Sequence, residues 1–424
     1  MTASASASAS AAPDGIVTAR VLIAGASYAG LAAAVNLLDL TDGKPPRMAV
    51  DPYPFQENWP RVRFEITIVD ERDGFFHVVG APLALAKPSY AERAWVEFPR
   101  LPDLQRPNVA FVHGTVARVD WASRTAEVRR HGVDAPDVLG YDYFVAATGL
   151  RRAWPVVPQS FYRKEYLAEV GEHIRRAGEA SHGVLVVGGG AVGVEMAAEL
   201  KLCMSDIQVT LAHSRDALLS SEGLSDECKD AALRMLREAG VRVSLGHRLD
   251  AYERVETSDG SEKYRVRFAN GAETDVSLVI VAVSKSVPST GYLPPWAVDA
   301  EGYVKIRPDL VIESEGPNAD RHYYCAGDAT RWSGIKRCGG AMHGGYCIAN
   351  NIHQHILEAA VGHSPEYRRL VHLEPMIALA VGKNAVSSGP HGTDAGAHVM
   401  HKFFGEDLYL SGCWRWLGLG IKEE

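Results

Sequence analysis

Val184-Leu185-Val186-Val187-Gly188-Gly189-Gly190-Ala191-Val192-Gly193-Val194-Glu195 joins a short aliphatic run to three spaced glycines and then to an alanine-rich helical pattern. The run reads as a buried strand, and the glycines as a turn tight enough to bring backbone N–H groups against a pyrophosphate. The helix that follows points its positive end at the same place. One such motif alone is weak evidence, because glycine clusters also arise by chance. A second copy begins 188 − 25 = 163 residues earlier, where Val21-Leu22-Ile23 runs into Gly25-Ala26-Ser27-Tyr28-Ala29-Gly30 and another stretch rich in Ala and Leu. Two copies, each between a strand and a helix, predict an α/β protein that binds two nucleotides. The copies are unequal. Gly188, Gly190 and Gly193 fill all three glycine positions, whereas Ser27 stands where the middle glycine normally lets the backbone approach the phosphates. Its hydroxyl offers a hydrogen bond in exchange for the lost space.

Outward from the first turn, a helical pattern runs from Leu31 to about Leu40, and a polar, proline-rich stretch over residues 41–60 separates it from the strand Phe64–Val69. That strand ends in Asp70-Glu71, where an acid accepts hydrogen bonds from an adenosine ribose. Asp70 is the first choice and Glu71 its neighbour. The strand after the second turn, Ile207–Leu211, ends instead in His213-Ser214-Arg215 with no acid. A guanidinium there pairs with a 2′-phosphate, which points to NADPH, with NADH the alternative. Tyr143-Phe144-Val145-Ala146-Ala147-Thr148-Gly149 reads as a buried strand ending at a glycine turn. Tyr264–Phe268 and Glu273–Ser277 read as a hairpin through Asn270-Gly271, ahead of the strand Leu278–Val283. Arg321–Cys325 then runs into Ala326-Gly327-Asp328, returning the chain to its first domain.

The 424 residues include 46% hydrophobic and 23% charged residues, enough for two or three domains with their own cores. A net charge of −8 opposes non-specific nucleic-acid binding, which relies on clustered Lys and Arg. The six cysteines have no close pair in sequence, so neither a secreted disulfide framework nor a Cys-x-x-Cys centre is readable, and a reducing, cytoplasmic setting fits. The Ala/Ser repeat at the N-terminus lacks the apolar stretch of a secretion signal, and residues 1–15 are expected to be a disordered tail. Thr2 excludes N-myristoylation, and no apolar run reaches the roughly 18 residues of a membrane span, so at most peripheral membrane contact is expected. Cys338, His343, Cys347, His353 and His355 match no zinc spacing, and no metal is expected.

The ordered set Gly25-x-Ser27-x-x-Gly30, Ala147-Thr148-Gly149, Gly188-x-Gly190-x-x-Gly193-x-Glu195 and Ala326-Gly327-Asp328 resembles the pyridine nucleotide-linked FAD oxidoreductases of the glutathione-reductase fold. Asp73-Gly74-Phe75-Phe76-His77, Val209–Arg215 and Gly382-Lys383-Asn384 are similar to the apoptosis-inducing-factor-like branch that includes ferroptosis suppressor protein and its fungal relatives. The resemblance implies two Rossmann-like domains, the second inserted in the first, with a short C-terminal α+β segment. The boundaries expected are 16–150 with 285–365 for FAD, 155–284 for NAD(P)H, and 366–424 for the C-terminal segment. It further implies FAD held by Gly25, Ser27, Gly30, Asp70, Glu71, Thr148, Gly149, Gly327, Asp328 and His343. NADPH or NADH is held by Gly188, Gly190, Gly193, Glu195 and Arg215. Asp328 would bind the ribityl chain, and a helix starting near Ala341-Met342-His343 would face the flavin pyrimidine edge.

Because flavin carries the chemistry, no residue is assigned as catalytic; His77, Glu195 and His343 are the candidates. No cysteine pair lies in one short stretch beside either turn, which turns the reading away from thiol substrates and toward a quinone or similar small apolar acceptor. Phe403, Phe404, Tyr409, Trp414 and Trp416 line that acceptor's channel, touch a membrane surface, or pack the C-terminal segment. Two other readings use the same residues: a tailoring oxidoreductase of one specialised metabolite, and a redox-responsive signalling protein. The sequence leaves the oligomeric state open.

Overall fold

The computed structural model describes residues 15–257, 261–283, 286–314 and 320–419. The tail expected over residues 1–15 lies outside them apart from Gly15. In chain order come β1 (Ile16–Ala24), α1 (Tyr28–Thr41), β2 (Arg61–Asp70), β3 (Val109–Asp120), β4 (Thr125–Arg130), β5 (Asp137–Gly140) and β6 (Tyr143–Ala146). Then follow β7 (Val184–Val187), α2 (Ala191–Cys203), β8 (Val209–Ala212), β9 (Arg242–Ser244) and β10 (Leu278–Val281). The chain returns through β11 (Tyr323–Cys325) and α3 (Cys338–Val361), and ends with β12 (Ile377–Val381), β13 (Asn384–Gly389), β14 (Gly392–Gly396) and α4 (Leu410–Leu417).

Seven strands form one sheet in the order β11-β6-β1-β2-β3-β4-β5. Its β11, β6, β1, β2 and β3 are parallel, and β4 and β5 add an antiparallel edge. A second, all-parallel sheet has the order β9-β8-β7-β10, and its strands lie in the chain between β6 and β11. Two Rossmann-type sheets, the second inserted in the chain of the first, are thus the architecture. Exposed Thr18 and Arg20 alternate with buried Val17, Ala19 and Val21 in β1 before Leu22–Ala24 become wholly buried. This is the pattern of a strand covered on both faces only near its C-terminal end. The helix α1 is buried all round because it lies between that sheet and α3.

The α1–α3 crossing is built on small residues. A Cβ at Gly345 would sit 2.2 Å from Ala29 O and 2.8 Å from Ala32 Cβ, so only glycine admits this approach. Gly362, at φ 66°, ends α3 in the left-handed conformation. The hairpin expected through Asn270-Gly271 is present, with strands Tyr264–Phe268 and Glu273–Val276, but Leu249–Arg254 adds a third strand that the sequence did not signal.

The C-terminal segment spans both halves. Leu379, Ala380, Val386 and Val399 pack in the core that holds β7, β8 and α2, whereas Cys413, Leu417 and Leu419 pack in the core of α1 and α3. The proline-rich insertion meets it there. Arg47 pairs with Asp39 at 2.8 Å and donates to Leu417 O (3.1 Å) and Gly418 O (2.5 Å), satisfying carbonyls at the end of α4. Among the described residues no helix is long and apolar enough to cross a membrane.

Candidate functional site

The first turn sits where parallel strands end side by side, the usual place for a nucleotide in an open α/β sheet. Gly25 N–H donates to Val69 O (2.8 Å), Ala147 N–H to Ala24 O (2.7 Å) and Ala326 N–H to Ala146 O (3.1 Å). These bonds bring Gly25–Gly30, Ala147–Gly149 and Ala326–Asp328 to one end of β1, β6 and β11. A Cβ at Gly25 would lie 2.4 Å from Ala147 O, and one at Gly30 would lie 1.8 Å from Gly25 O. Both glycines are therefore demanded by the turn itself. Ser27 precedes α1 in an extended conformation, and its hydroxyl makes no capping bond to the helix.

Asp70 does two things at the end of β2. Its Oδ2 accepts from Ala26 N–H at 2.6 Å and its Oδ1 from Arg72 N–H at 2.8 Å, so this carboxylate braces the glycine turn from below. Glu71 is held by Arg151 at 2.6 Å. Thr148 Oγ1 donates to Ser289 O (2.6 Å), Gly149 is at φ 64°, and Asp328 pairs with Arg152 at 3.2 Å. The helix α3 starts at Cys338, three residues before the expected start, so His343 lies in its second turn. His343 is exposed and lies 3.4 Å from Cys347 Sγ. Arg337, at the N-cap, provides no side-chain bond to the first turn of α3, which leaves those N–H groups for an anionic or carbonyl partner.

His77 is fully buried behind the first turn. Tyr28 O–H donates to its Nδ1 (2.9 Å) and its Nε2–H donates to Leu408 O (3.0 Å), a tautomer fixed by the carbonyl's inability to donate. Burial pushes this imidazole down to about 4, so it is neutral at physiological pH. Both ring nitrogens are thus spent inside the protein, joining the first turn to the C-terminal segment.

The second turn repeats the first with its glycine set complete. Gly188, at φ 121°, donates its N–H to Ala212 O (2.8 Å), and a Cβ at Gly193 would lie 1.9 Å from Gly188 O. A Cβ at Gly190 would meet nothing within 4 Å, so internal packing does not explain this glycine. The space beside Gly190 is open on the side where a phosphate is expected to approach such a turn. His213 stands where other strands of this kind carry an acid. Its Nδ1 accepts from Gly189 N–H (3.0 Å) and its Nε2–H donates to Ser220 Oγ (3.1 Å), a bracing role parallel to that of Asp70. The sequence located this residue without assigning it a role; the signal was its position just past the end of β8. Arg215 is exposed, with one long hydrogen bond to Ser220 Oγ at 3.4 Å.

Glu195, in the second turn of α2, reaches β12, where it accepts from Ala380 N–H at 3.4 Å. Burial pushes its carboxyl up to about 8. One helical turn on, Glu199 is buried, its Oε1 has no partner among the described residues, and burial lifts it to about 7 despite Lys87 nearby. Both carboxyls take up protons on folding, so their ionisation costs stability as pH rises from the ordinary glutamate range through about 7 and 8. The expected result is that Glu199→Gln melts higher than the parent at pH 8, with the gain shrinking toward pH 5. A gain of equal size at both pH values, by calorimetry, would show that Glu199 is not a buried acid.

The sequence model of the family described as pyridine nucleotide-disulphide oxidoreductase matches residues 19–345. Oxidoreductase OXR1 of Ajellomyces capsulatus is 45% identical over 406 residues, covering 94% of this chain and 88% of the relative. Ferroptosis suppressor protein 1 of Homo sapiens is 24% identical over 404 residues, covering 93% and 95%. Among solved structures, the sulfide:quinone oxidoreductase of Aquifex aeolicus superposes with a TM-score of 0.64 at 16% identity, covering 95% of this chain and 92% of that one.

Proposed function

Since the chain belongs to the pyridine nucleotide-disulphide oxidoreductase family and is an FAD-dependent NAD(P)H oxidoreductase, we propose that it delivers electrons to a quinone or similar flat, apolar acceptor. The observation that carries this reading is an aromatic wall beside the first turn. Phe75 packs its ring 5.3 Å from Tyr28, within that turn, and 5.1 Å from Trp414 of α4. Phe75 and Tyr28 are buried and back the half-buried ring of Trp414, whose accessible face matches a planar apolar molecule. The name of the Aquifex aeolicus neighbour, which pairs this fold with a quinone, supports it.

FAD supplies hydride acceptance from NAD(P)H and onward electron transfer. The protein's part is to bind and orient. Gly25, Ser27, Gly30 and Gly327 let the backbone approach one dinucleotide, Asp70 and Glu71 lie toward its ribose, and Thr148, Gly149, Asp328 and the first turns of α3 as far as His343 face its flavin end. Gly188, Gly190 and Gly193 cradle the other, with Arg215 at its 2′-position. Glu195 closes the nicotinamide end. His77 acts as a positioning residue, because it fixes Tyr28 and Leu408 without titrating. The domain division at 16–150 with 285–365, 155–284 and 366–424 belongs to the same proposal. Phe403 and Trp416 remain 37% and 48% exposed, and we assign them to peripheral membrane contact, where a lipid quinone is met.

Stopped-flow reduction by NADH and NADPH, followed by turnover with quinones, disulfides and dioxygen, tests the reading. Quinone turnover in the tens per second, roughly the range of ordinary enzymes, is expected. A disulfide or dioxygen consumed faster than every quinone tried would overturn it.

A further inference from the structure

A cavity of about 300 Å³ opens at the N-terminal ends of β1 and β2, the end of the sheet opposite the Gly25 turn. Its place is set by α1, whose last residue, Thr41, accepts from Phe64 N–H at 3.1 Å and so pins the helix end to β2. Arg61, Arg63 and Arg106 line it with a single carboxylate, that of Asp42. Arg106 holds this carboxylate in a two-pronged pair, at 2.5 and 3.2 Å, and Lys44 lies 3.6 Å from it. Arg61 and Arg63, two residues apart on one face of β2, are exposed and make no side-chain hydrogen bond or ion pair among the described residues. The cavity thus carries an excess of two positive charges on a chain whose net charge is −8. We propose that it binds the phosphate of an anionic membrane phospholipid.

Three observations identify this ligand. Two guanidiniums without protein partners present paired N–H donors, the geometry that matches phosphate oxygens. Ile16 and Pro107 form an apolar wall of the same cavity, which a free phosphate leaves bare and the glycerol backbone and first acyl carbons of a lipid cover. The cavity is also tied to the end of α4. Asp42 follows α1 one turn after Asp39, and Arg47 joins Asp39 and Asp103, each at 2.8 Å, to the carbonyls of Leu417 and Gly418. Trp416, 48% exposed, immediately precedes those carbonyls.

The inference rests on the assignment of Phe403 and Trp416 to peripheral membrane contact, and names the lipid that this contact selects. An anionic leaflet repels a chain of net negative charge, and two uncompensated arginines concentrate the opposite charge at one place on it. The aromatic rings then supply apolar contact at the interface while Arg61 and Arg63 hold a headgroup phosphate. The bound lipid leaves the FAD site untouched, because the Gly25 turn lies at the other end of β1.

The test sediments the full-length, FAD-loaded protein with vesicles of phosphatidylcholine, or of equimolar phosphatidylcholine and phosphatidic acid. The parent is expected to bind the mixed vesicles more tightly. Combining Arg61→Ala with Arg63→Ala is expected to weaken that binding about 30-fold, leaving phosphatidylcholine binding and flavin reduction by NADPH as in the parent. Combining Arg234→Ala with Arg237→Ala removes the same charge from the exposed side of the helix Asp226–Glu238 and is expected to keep the tight binding. Equal losses in the two double variants would show a response to net charge alone and overturn the proposal. Binding to phosphatidylcholine with no gain from phosphatidic acid would overturn it and leave the membrane contact of Trp416 standing, whereas no binding to either vesicle would remove that contact and this inference with it. Should inorganic phosphate raise the melting temperature of the parent and not of the Arg61→Ala, Arg63→Ala variant, while the vesicles show no preference, the cavity belongs to a soluble phosphate and the lipid is excluded.

Discussion

Gly30→Ala is expected to purify with about a tenth or less of the parent's flavin, because relieving the added methyl requires moving backbone. Its Cβ would lie 1.8 Å from Gly25 O, 3.0 Å from Gly25 C and 3.2 Å from Ile23 Cγ2. None of the closest atoms can swing aside on a flexible side chain. The helix α1 must therefore back away from the end of β1, and it is buried on every side between the sheet and α3. Overpacking of this kind costs about 1–3 kcal/mol, which is roughly a 5- to 150-fold change in an equilibrium. The phosphate-facing N–H groups shift with the helix, so flavin retention is lost ahead of the fold. Gly171→Ala provides the comparison: it lies within the helix Arg163–Gly178, its Cβ would meet nothing within 4 Å, and it is expected to keep full flavin. Absorbance at 450 nm per chain measures both variants. A fully yellow Gly30→Ala protein would mean that the first turn does not hold the dinucleotide.

The second large effect is expected at Arg215. Reversing its charge in Arg215→Glu should lower kcat/KM for NADPH by about 100-fold, the scale of one charge-assisted hydrogen bond lost and one repulsion gained, while NADH changes far less. A carboxylate accepts from a free 2′-hydroxyl and repels a 2′-phosphate. Arg215 is exposed and makes only one long side-chain hydrogen bond among the described residues, so the melting temperature should scarcely move. Equal losses with NADH and NADPH would remove Arg215 from the 2′-position and leave the preference to other groups.

These arguments show which parts of the molecule the amino-acid order carries by itself. Gly188–Gly193 and Gly25–Gly30 were legible because their constraint is local: a strand, a turn that needs positive φ, and a helix follow within a dozen residues. Strand Val184–Val187 is placed as its apolar run suggests. Leu249–Arg254 went unread because its inward positions are only half-buried, so alternation was faint. The helix α3 starts three residues before the expected position, with Gly339 and Gly340 inside its first turn. His213 belongs to a different class. Its meaning lies in the Gly189 N–H that it accepts, brought to it from 24 residues earlier in the chain.

Synthesis of this chain from its N-terminus leaves both nucleotide-binding halves unfinished until late. Leu379, Ala380 and Val386 complete one core, and Cys413, Leu417 and Leu419 complete the other, with Arg47 waiting for the carbonyls of Leu417 and Gly418. A nascent chain that has released residues 1–370 from the ribosome already contains the Gly25–Gly30 and Gly188–Gly193 turns, yet it exposes two apolar faces that the last strands and helix cover. Such a chain is prone to aggregate and to engage chaperones, and flavin loading awaits completion of the polypeptide. The segment least related to nucleotide chemistry thereby decides when the enzyme becomes an enzyme.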